Sequence, residues 1–281
     1  MSNARAVAEI RTAEHLRAYL NARGERHVRY LHYTNLDGLI GMLASGFFHL
    51  SKGDRMNDRQ EPQMGDSGLW TDTFIGSFAF GQNENMALWG LYGLPWEEAV
   101  CIRIPQGSML RWIRGVDRCY KVEETKKYVP LEGTLGLGLN DVAYVTEQAE
   151  RPIRIYHSLK RATWPIEKEP SEWQAATELT GFLKRDAWRY ENEVRIRAVC
   201  ASAKALDRIA IPIPREIIAR ATVIFGPWAR GENIAKMEER IAETFKKKLR
   251  SVKSSYAGLV DYRSLCGYCV HGMFVRRENG E

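Results

Sequence analysis

Apolar and polar positions along the chain change over in short blocks, and the period of each block names its element. From Val28 to Thr34, strict alternation puts Tyr30, His32 and Thr34 on one face and Leu31 and Tyr33 on the other, which predicts a strand. Directly afterwards Leu36, Leu39, Ile40 and Leu43 recur at helical spacing, with Thr34 or Asn35 as the cap and Gly46 where a terminating glycine belongs. Phe47–Ser51 reads as a second strand, and Lys52–Gly68 as a polar loop. Phe74–Phe80 and Ala99–Ile104 predict further strands, separated by an aromatic-rich helical turn from Met86 to Tyr92. Leu110–Arg118 and Ser171–Lys184 predict helices. Glu191–Val199 alternates as a strand, with Val194, Ile196 and Ala198 inward and Glu193, Arg195 and Arg197 on the other face. Ile209–Ile213 and Ala221–Phe225 follow as strands, the second stopped by Gly226-Pro227. Ile234, Met237, Ile241, Phe245 and Leu249 then mark a long amphipathic helix.

Strands outnumber any regular strand–helix alternation, so the pattern predicts an α+β fold: a mixed, mainly antiparallel sheet with flanking helices. The expected organisation is an N-terminal helix over 1–27, a single α+β domain over 28–250 and a C-terminal tail over 251–281, with the glycines of 133–138 in a loop. Val7, Ile10, Leu16 and Leu20 are interleaved with charge, as on a surface helix rather than in an export signal.

Composition narrows the class. At 281 residues, 44% hydrophobic and 27% charged, the chain has the make-up of a folded globular protein, and no apolar run approaches the ~20 residues of a membrane helix. Five cysteines form an odd, sparse set, unlike a secreted disulfide framework, and a reducing cytoplasm is the expected location. The skewed quantity is charge: +6, with a pI near 9.0. Much of the excess lies in Lys246, Lys247, Lys248, Arg250 and Lys253, which fits either a solvated helix end or a surface for nucleic acid.

Several chemistries have no motif here. The glycines at 133, 136 and 138 do not make a dinucleotide fingerprint, and there is no phosphate loop ending in Gly-Lys-Ser/Thr, no His-Glu-x-x-His and no Gly-x-Ser-x-Gly. Cys266-Gly-Tyr-Cys269 is half a zinc site without its second pair, and reads as buried thiols. Asp54, Asp58 and Glu61 could surround a metal in a hydrolase, but loop acids more commonly cap turns.

Two segments carry chemistry. Tyr30-Leu-His32-Tyr-Thr34 ends a strand just before a helix, where an imidazole can offer a donor and an acceptor to a ligand or bond a neighbouring backbone. Trp188-Arg-Tyr190-Glu191-Asn-Glu193-Val-Arg195 puts carboxylate and guanidinium on one strand face, as a solvated surface or a site.

Together with Met56-Asn57-Asp58, Glu61, Ser77-Phe78, Leu88-Trp89, Tyr92 and Ile224-Phe-Gly-Pro227, these segments resemble, in order and over about residues 28–230, the bacterial family called domain of unknown function 2971. The opening motif is also similar to that of ADP-ribosyltransferases that modify DNA or RNA. That resemblance implies an ADP-ribosyltransferase-like fold and the use of NAD as a substrate. It further implies a nucleic-acid or protein acceptor in a defence or toxin context. Carried over by position, the histidine is His32 and the catalytic glutamate Glu193, with Glu191 as the competitor. Independently of the family, breaking a nicotinamide–ribose bond needs an aromatic surface and phosphate donors beside the carboxylate, so the candidate cofactor-contacting set is Tyr33, Thr34, Ser51, Arg55, Asn57, Ser77, Phe78, Tyr92 and Arg195, with Tyr33, Phe78 or Tyr92 stacking and Arg55 or Arg195 meeting the pyrophosphate. The segment that carries a tyrosine in the His-Tyr-Glu type reads His49-Leu-Ser51 here. No metal ligand set is implied. The alternative reading is a non-catalytic binding module that uses the basic C-terminal helix to hold nucleic acid or protein.

Overall fold

The computed structural model describes residues 27–56, 70–81, 83–123, 127–133, 136–145 and 180–259. Residues 1–26 of the helix expected over 1–27, the loop residues Asn57, Asp58 and Glu61, most of the helix expected over 171–184 and the Cys266–Cys269 pair lie outside them. In chain order the elements are β1 (Arg29–Asn35), α1 (Leu36–Ser45), β2 (Phe47–Lys52), β3 (Thr73–Phe80), α2 (Met86–Tyr92), β4 (Ala99–Pro105), α3 (Gln106–Gly115), β5 (Tyr120–Val122), β6 (Tyr128–Pro130), β7 (Gly136–Asp141), β8 (Ala143–Val145), β9 (Leu183–Arg185), β10 (Glu193–Val199), β11 (Arg208–Pro212), α4 (Arg215–Arg220), β12 (Thr222–Phe225), α5 (Gly231–Phe245) and β13 (Arg250–Lys253). The strand pairing is mainly antiparallel, with parallel pairs at β12–β13 and β8–β9, and the class is mixed α+β, as the element order predicts.

Contacts divide the chain into two units. One comprises the described residues of 1–32, 45–83 and 103–221, and the other those of 33–44, 84–102 and 222–281. In the first, antiparallel strands run in the order β6-β5-β11-β2-β3-β10-β7. One sheet face carries an aromatic cluster: Phe48 and Phe78 stack on each other, the Trp112 ring of α3 meets both edge to face, and the Trp112 Nε1 donates to the Pro212 carbonyl at 2.7 Å. Burying rings of this size contributes about 1.5–3 kcal/mol each, so this face anchors the sheet. Gly76 is required by that packing, because a Cβ there would sit 2.5 Å from Phe48 Cε1 and 2.6 Å from Leu50 Cδ2.

In the second unit, β12 and β13 pair in parallel with β4 beside β12. The α5 side chains Ile234, Met237, Ile241 and Phe245 are buried, as their spacing predicts. The helix ends at Phe245, because Lys246 turns into the left-handed region at φ 56°, so Leu249 is buried outside it. Glu84 ties down the segment after β13. It accepts from Ser254 Oγ at 2.5 Å, Ser255 N at 2.8 Å and Trp89 Nε1 at 3.1 Å.

Three further expectations change. Glu191 belongs to a 3-10 turn over Asp186–Glu191 rather than to the strand, and Asn192 breaks the register with φ 44°. Lys184 lies on a short strand, and Gly136 and Gly138 lie on β7 instead of in a loop.

Candidate active site

The site begins at an interruption in strand pairing. Along one edge β3 is paired with β10 from Thr73 to Ala79. Its other edge is shared: β1 pairs only at Phe80 and Ala79, and β2 only at Ile75 and Phe74. Between them, over Gly76–Phe78, neither strand is registered with β3. Backbone groups in such a gap need other partners, and His32 supplies one, its Nδ1 donating to the Ser77 carbonyl at 2.9 Å. A carbonyl can only accept, so the Nδ1 carries the proton.

The two catalytic candidates approach Ser77 from opposite sides of the sheet. Leu31 pairs with Ala79, and Ala79 pairs with Glu193, so Leu31 and Glu193 share a face and His32 points to the other. There the His32 ring lies 5.0 Å from the Phe48 ring and 5.3 Å from Phe78. Burial pulls the imidazole below its ordinary 6.5, against the opposing effect of its bond to Ser77, and keeps it neutral near pH 7. His32 and Glu193 are therefore joined through Ser77, not placed together around one opening.

On the other face the Ser77 hydroxyl donates to Glu193 Oε1 at 2.5 Å. Arg195, two residues along the same strand face, grips the carboxylate with Nε to Oε1 at 2.7 Å and NH2 to Oε2 at 3.0 Å, and its NH1 donates to the Gly181 carbonyl at 2.8 Å. The Lys184 Nζ donates to Glu193 Oε2 at 3.2 Å and to Glu191 Oε2 at 2.6 Å, and stands 4.7 Å from the Trp188 ring centre. Lys184 reaches this point because β9 pairs with β8, which sets it level with Tyr144, whose hydroxyl accepts from the Glu193 backbone N–H at 2.8 Å.

Two carboxylates and two cations thus balance inside the protein: Arg195 is 0% exposed, Lys184 2%, and Glu191 and Glu193 3% each. Burial alone would raise Glu193, but Arg195 and then Lys184 outweigh it and hold the carboxyl down at about 2. Burial pushes Glu191 the other way, above the usual range, in spite of Lys184. Of the two readings of the charged strand face, the solvated one does not hold: Glu193 and Arg195 are buried, and Arg197 is half-buried.

These positions set the acid response. A neutral, desolvated imidazole resists protonation, so stability begins to fall as pH drops through about 6.5, the ordinary value for His32. Glu193 contributes above its unfolded value of 4.5, and that contribution is lost as pH falls towards about 2. Urea unfolding between pH 5 and 2 is expected to show a steep loss in the wild type and a shallower one in Glu193→Gln; parallel curves would contradict the assignment.

The remaining sequence candidates divide. Arg195 has its donors committed inside the cluster and no surface, so it does not meet a pyrophosphate as expected. Phe78 and Tyr33 are buried in packing, and the Tyr33 hydroxyl accepts from Asn85 N at 2.8 Å. Thr34 is half-buried, Tyr92 is exposed in the second unit, and Asn57 is outside the described residues. Ser51 is exposed on the Glu193 side of β2, and Arg55 is exposed and paired with Asp207 at 2.6 Å. Sequence reasoning missed Lys184, Tyr144 and Tyr128. The Tyr128 ring stacks on Phe47 at 3.9 Å, and its hydroxyl is 3.0 Å from the Nε2 of the exposed His49, on the β2 side of the gap. Lys184 falls at the end of the segment whose spacing predicts a helix, and all three sit on three-residue strands that composition does not mark. Among the described residues, no three metal-ligating side chains group together, and no helix is long and apolar enough to cross a membrane.

No family model and no curated protein matches the chain, so the likeness to the domain of unknown function 2971 rests on its motifs. Two solved structures overlap it broadly and loosely. Thermus sp. 2.9 DarT in complex with carba-NAD+ is 8% identical at a TM-score of 0.35, with 82% of this chain and 97% of that one covered. Thermus sp. 2.9 DarT in complex with NAD+ is 10% identical at 0.34, with 81% and 96% covered.

Proposed function

We propose that this chain transfers ADP-ribose from NAD to a macromolecular acceptor, with Glu193 as the carboxylate that meets the ribose and the gap at Ser77 as the point of entry. The observation that supports the reading most is a buried carboxylate kept ionised beside an interruption of the sheet. Breaking the nicotinamide–ribose bond builds positive charge on the sugar, and a fixed carboxylate away from water stabilises that charge far more than a solvated one.

Of the four hydrogen bonds on the Glu193 carboxylate, three come from the buried cations Arg195 and Lys184 and one from the half-buried Ser77 hydroxyl. A ribose hydroxyl can replace Ser77 Oγ on Oε1 while both cations stay in place. Arg195 and Lys184 then hold the charge and direction of the carboxylate, and His32 keeps the gap in shape by fixing the Ser77 carbonyl. Two further groups support the reading: Arg55 can exchange Asp207 for a phosphate, and the half-buried Tyr128 beside His49 offers an aromatic surface. A net charge of +6 favours a polyanionic acceptor such as nucleic acid over a basic one.

A second reading is favoured by one observation: the four-charge cluster is complete without a ligand, as in a purely structural ion network. In that case the protein is a binding module, and the exposed Lys246, Lys247, Lys248, Arg250 and Lys253 of the second unit are its contact surface. Incubating the purified chain with NAD and, separately, single-stranded DNA, RNA and protein acceptors distinguishes the two. The transferase reading expects free nicotinamide with at least one acceptor. No release with any of them, with salt-dependent nucleic-acid binding that survives Glu193→Gln, is the result of the binding module.

A further inference from the structure

Cys119 and Cys200 are 81 positions apart, and their sulfurs lie 3.4 Å from each other, with the Cys119 thiol donating to Cys200 Sγ. Both side chains are buried, and both are free thiols. We infer that this pair is an oxidation site, at which a peroxide converts the two thiols to a disulfide joining the end of β10 to the start of β5.

The geometry is already near that of the product. An S–S bond is about 2.05 Å long, so the sulfurs need to close by roughly 1.4 Å, which rotation about the two Cα–Cβ bonds can supply. The backbone on each side is fixed in register for it. The Cys200 N–H donates to the Asp72 carbonyl at 2.9 Å, and the Cys119 carbonyl accepts from Leu131 N at 2.9 Å.

The two sulfurs are not equivalent. Burial first, and the bond to Cys200 next, push the Cys119 thiol up to about 12, so it keeps its proton. Cys200 Sγ is 3.3 Å from the hydroxyl of Ser202, an exposed residue, and so lies beside the way in for a water-sized oxidant. Cys200 is therefore the sulfur that meets hydrogen peroxide first. Its sulfur attacks one peroxide oxygen, the O–O bond breaks, one water leaves and a sulfenic acid remains. The Cys119 sulfur then attacks Cys200 Sγ, the S–O bond breaks, and a second water leaves with the Cys119 proton as the S–S bond forms. The thiols lose two electrons in all, and the peroxide is reduced to two waters.

The loop so closed contains Lys184, Glu191, Glu193 and Arg195, so oxidation covalently fastens the segment that builds the charge cluster. A cross-link over a separation of this length restricts the unfolded chain strongly and is expected to raise the melting temperature. This inference does not depend on any transferase activity.

The test is to treat the full chain with hydrogen peroxide, quench and denature it in an alkylating agent, digest it without reductant and map the peptides. The expected result is a linked Cys119–Cys200 peptide lighter than the two thiol peptides by two hydrogens. It should be accompanied by a rise in Tm that dithiothreitol reverses and that is absent from Cys119→Ala. Recovery of Cys119 and Cys200 both alkylated, or of Cys200 as sulfinic acid with Cys119 alkylated, would overturn the inference. The peptides of Cys101, Cys266 and Cys269 in the same digest show whether peroxide acted elsewhere in the chain.

Discussion

Arg195→Met is expected to cost about 3–5 kcal/mol of folding stability, the scale for breaking one partner out of a buried ion network. Methionine fills similar space with no charge, so the loss reports the interaction and not a cavity. Without the guanidinium, Lys184 is the remaining cation of the cluster against two buried carboxylates, and the Gly181 carbonyl loses its donor. Set against a typical total of about 5–15 kcal/mol, that loss is large enough to move the midpoint of a urea curve far to the left. Arg195→Lys is expected to recover only part of it, because a single ammonium cannot grip both oxygens of Glu193. A methionine variant within about 1 kcal/mol of wild type would mean that the cluster is not what organises this side of the sheet.

How far the sequence could be read depended on the range of the interaction. β1, α1 and their Gly46 stop are local objects, and alternation, helical spacing and a terminating glycine define them; Gly46 indeed turns with φ 72°. The buried stripe of α5 was legible for the same reason, up to the left-handed turn at Lys246. Alternation also put Glu193 and Arg195 on one face of a strand. It could not show that the face is buried, because the groups that neutralise it come from elsewhere. Lys184 arrives on β9, and Ser77 arrives across β3. A periodic pattern sees one element at a time, and a two-against-two charge balance exists only between elements.

The separation of His32 from Glu193 by β3 was hidden for a related reason. Parity along β1 fixes which residues alternate, but the face that His32 takes relative to Glu193 depends on the register of Leu31 with Ala79 and of Ala79 with Glu193. The gap at Gly76–Phe78 likewise follows from two strands sharing one edge of β3. Gly76 was its nearest trace in the sequence, since the ring of Phe48 and the Leu50 methyl leave no room there for a side chain.

Glu193→Gln is expected to reduce nicotinamide release by about 100-fold or more, the scale for removing a group that stabilises transition-state charge. Glutamine retains an oxygen for Ser77 but not the negative charge that a developing sugar cation needs. It also leaves Arg195 and Lys184 with Glu191 as their partner carboxylate in the cluster, so the variant is expected to be less stable and must be assayed below its own melting transition. Glu191→Gln serves as the control. Glu191 bonds Lys184, whereas the Ser77 hydroxyl bonds Glu193, so loss of the Glu191 charge should perturb stability while leaving most of the activity. The most direct measurement is therefore nicotinamide released from NAD per folded molecule, for wild type, Glu193→Gln and Glu191→Gln side by side, with circular dichroism reporting the folded fraction. Release by the wild type is expected, with most of that rate in Glu191→Gln and loss in Glu193→Gln while it is still folded; equal rates from folded wild type and folded Glu193→Gln would contradict a transferase role for Glu193.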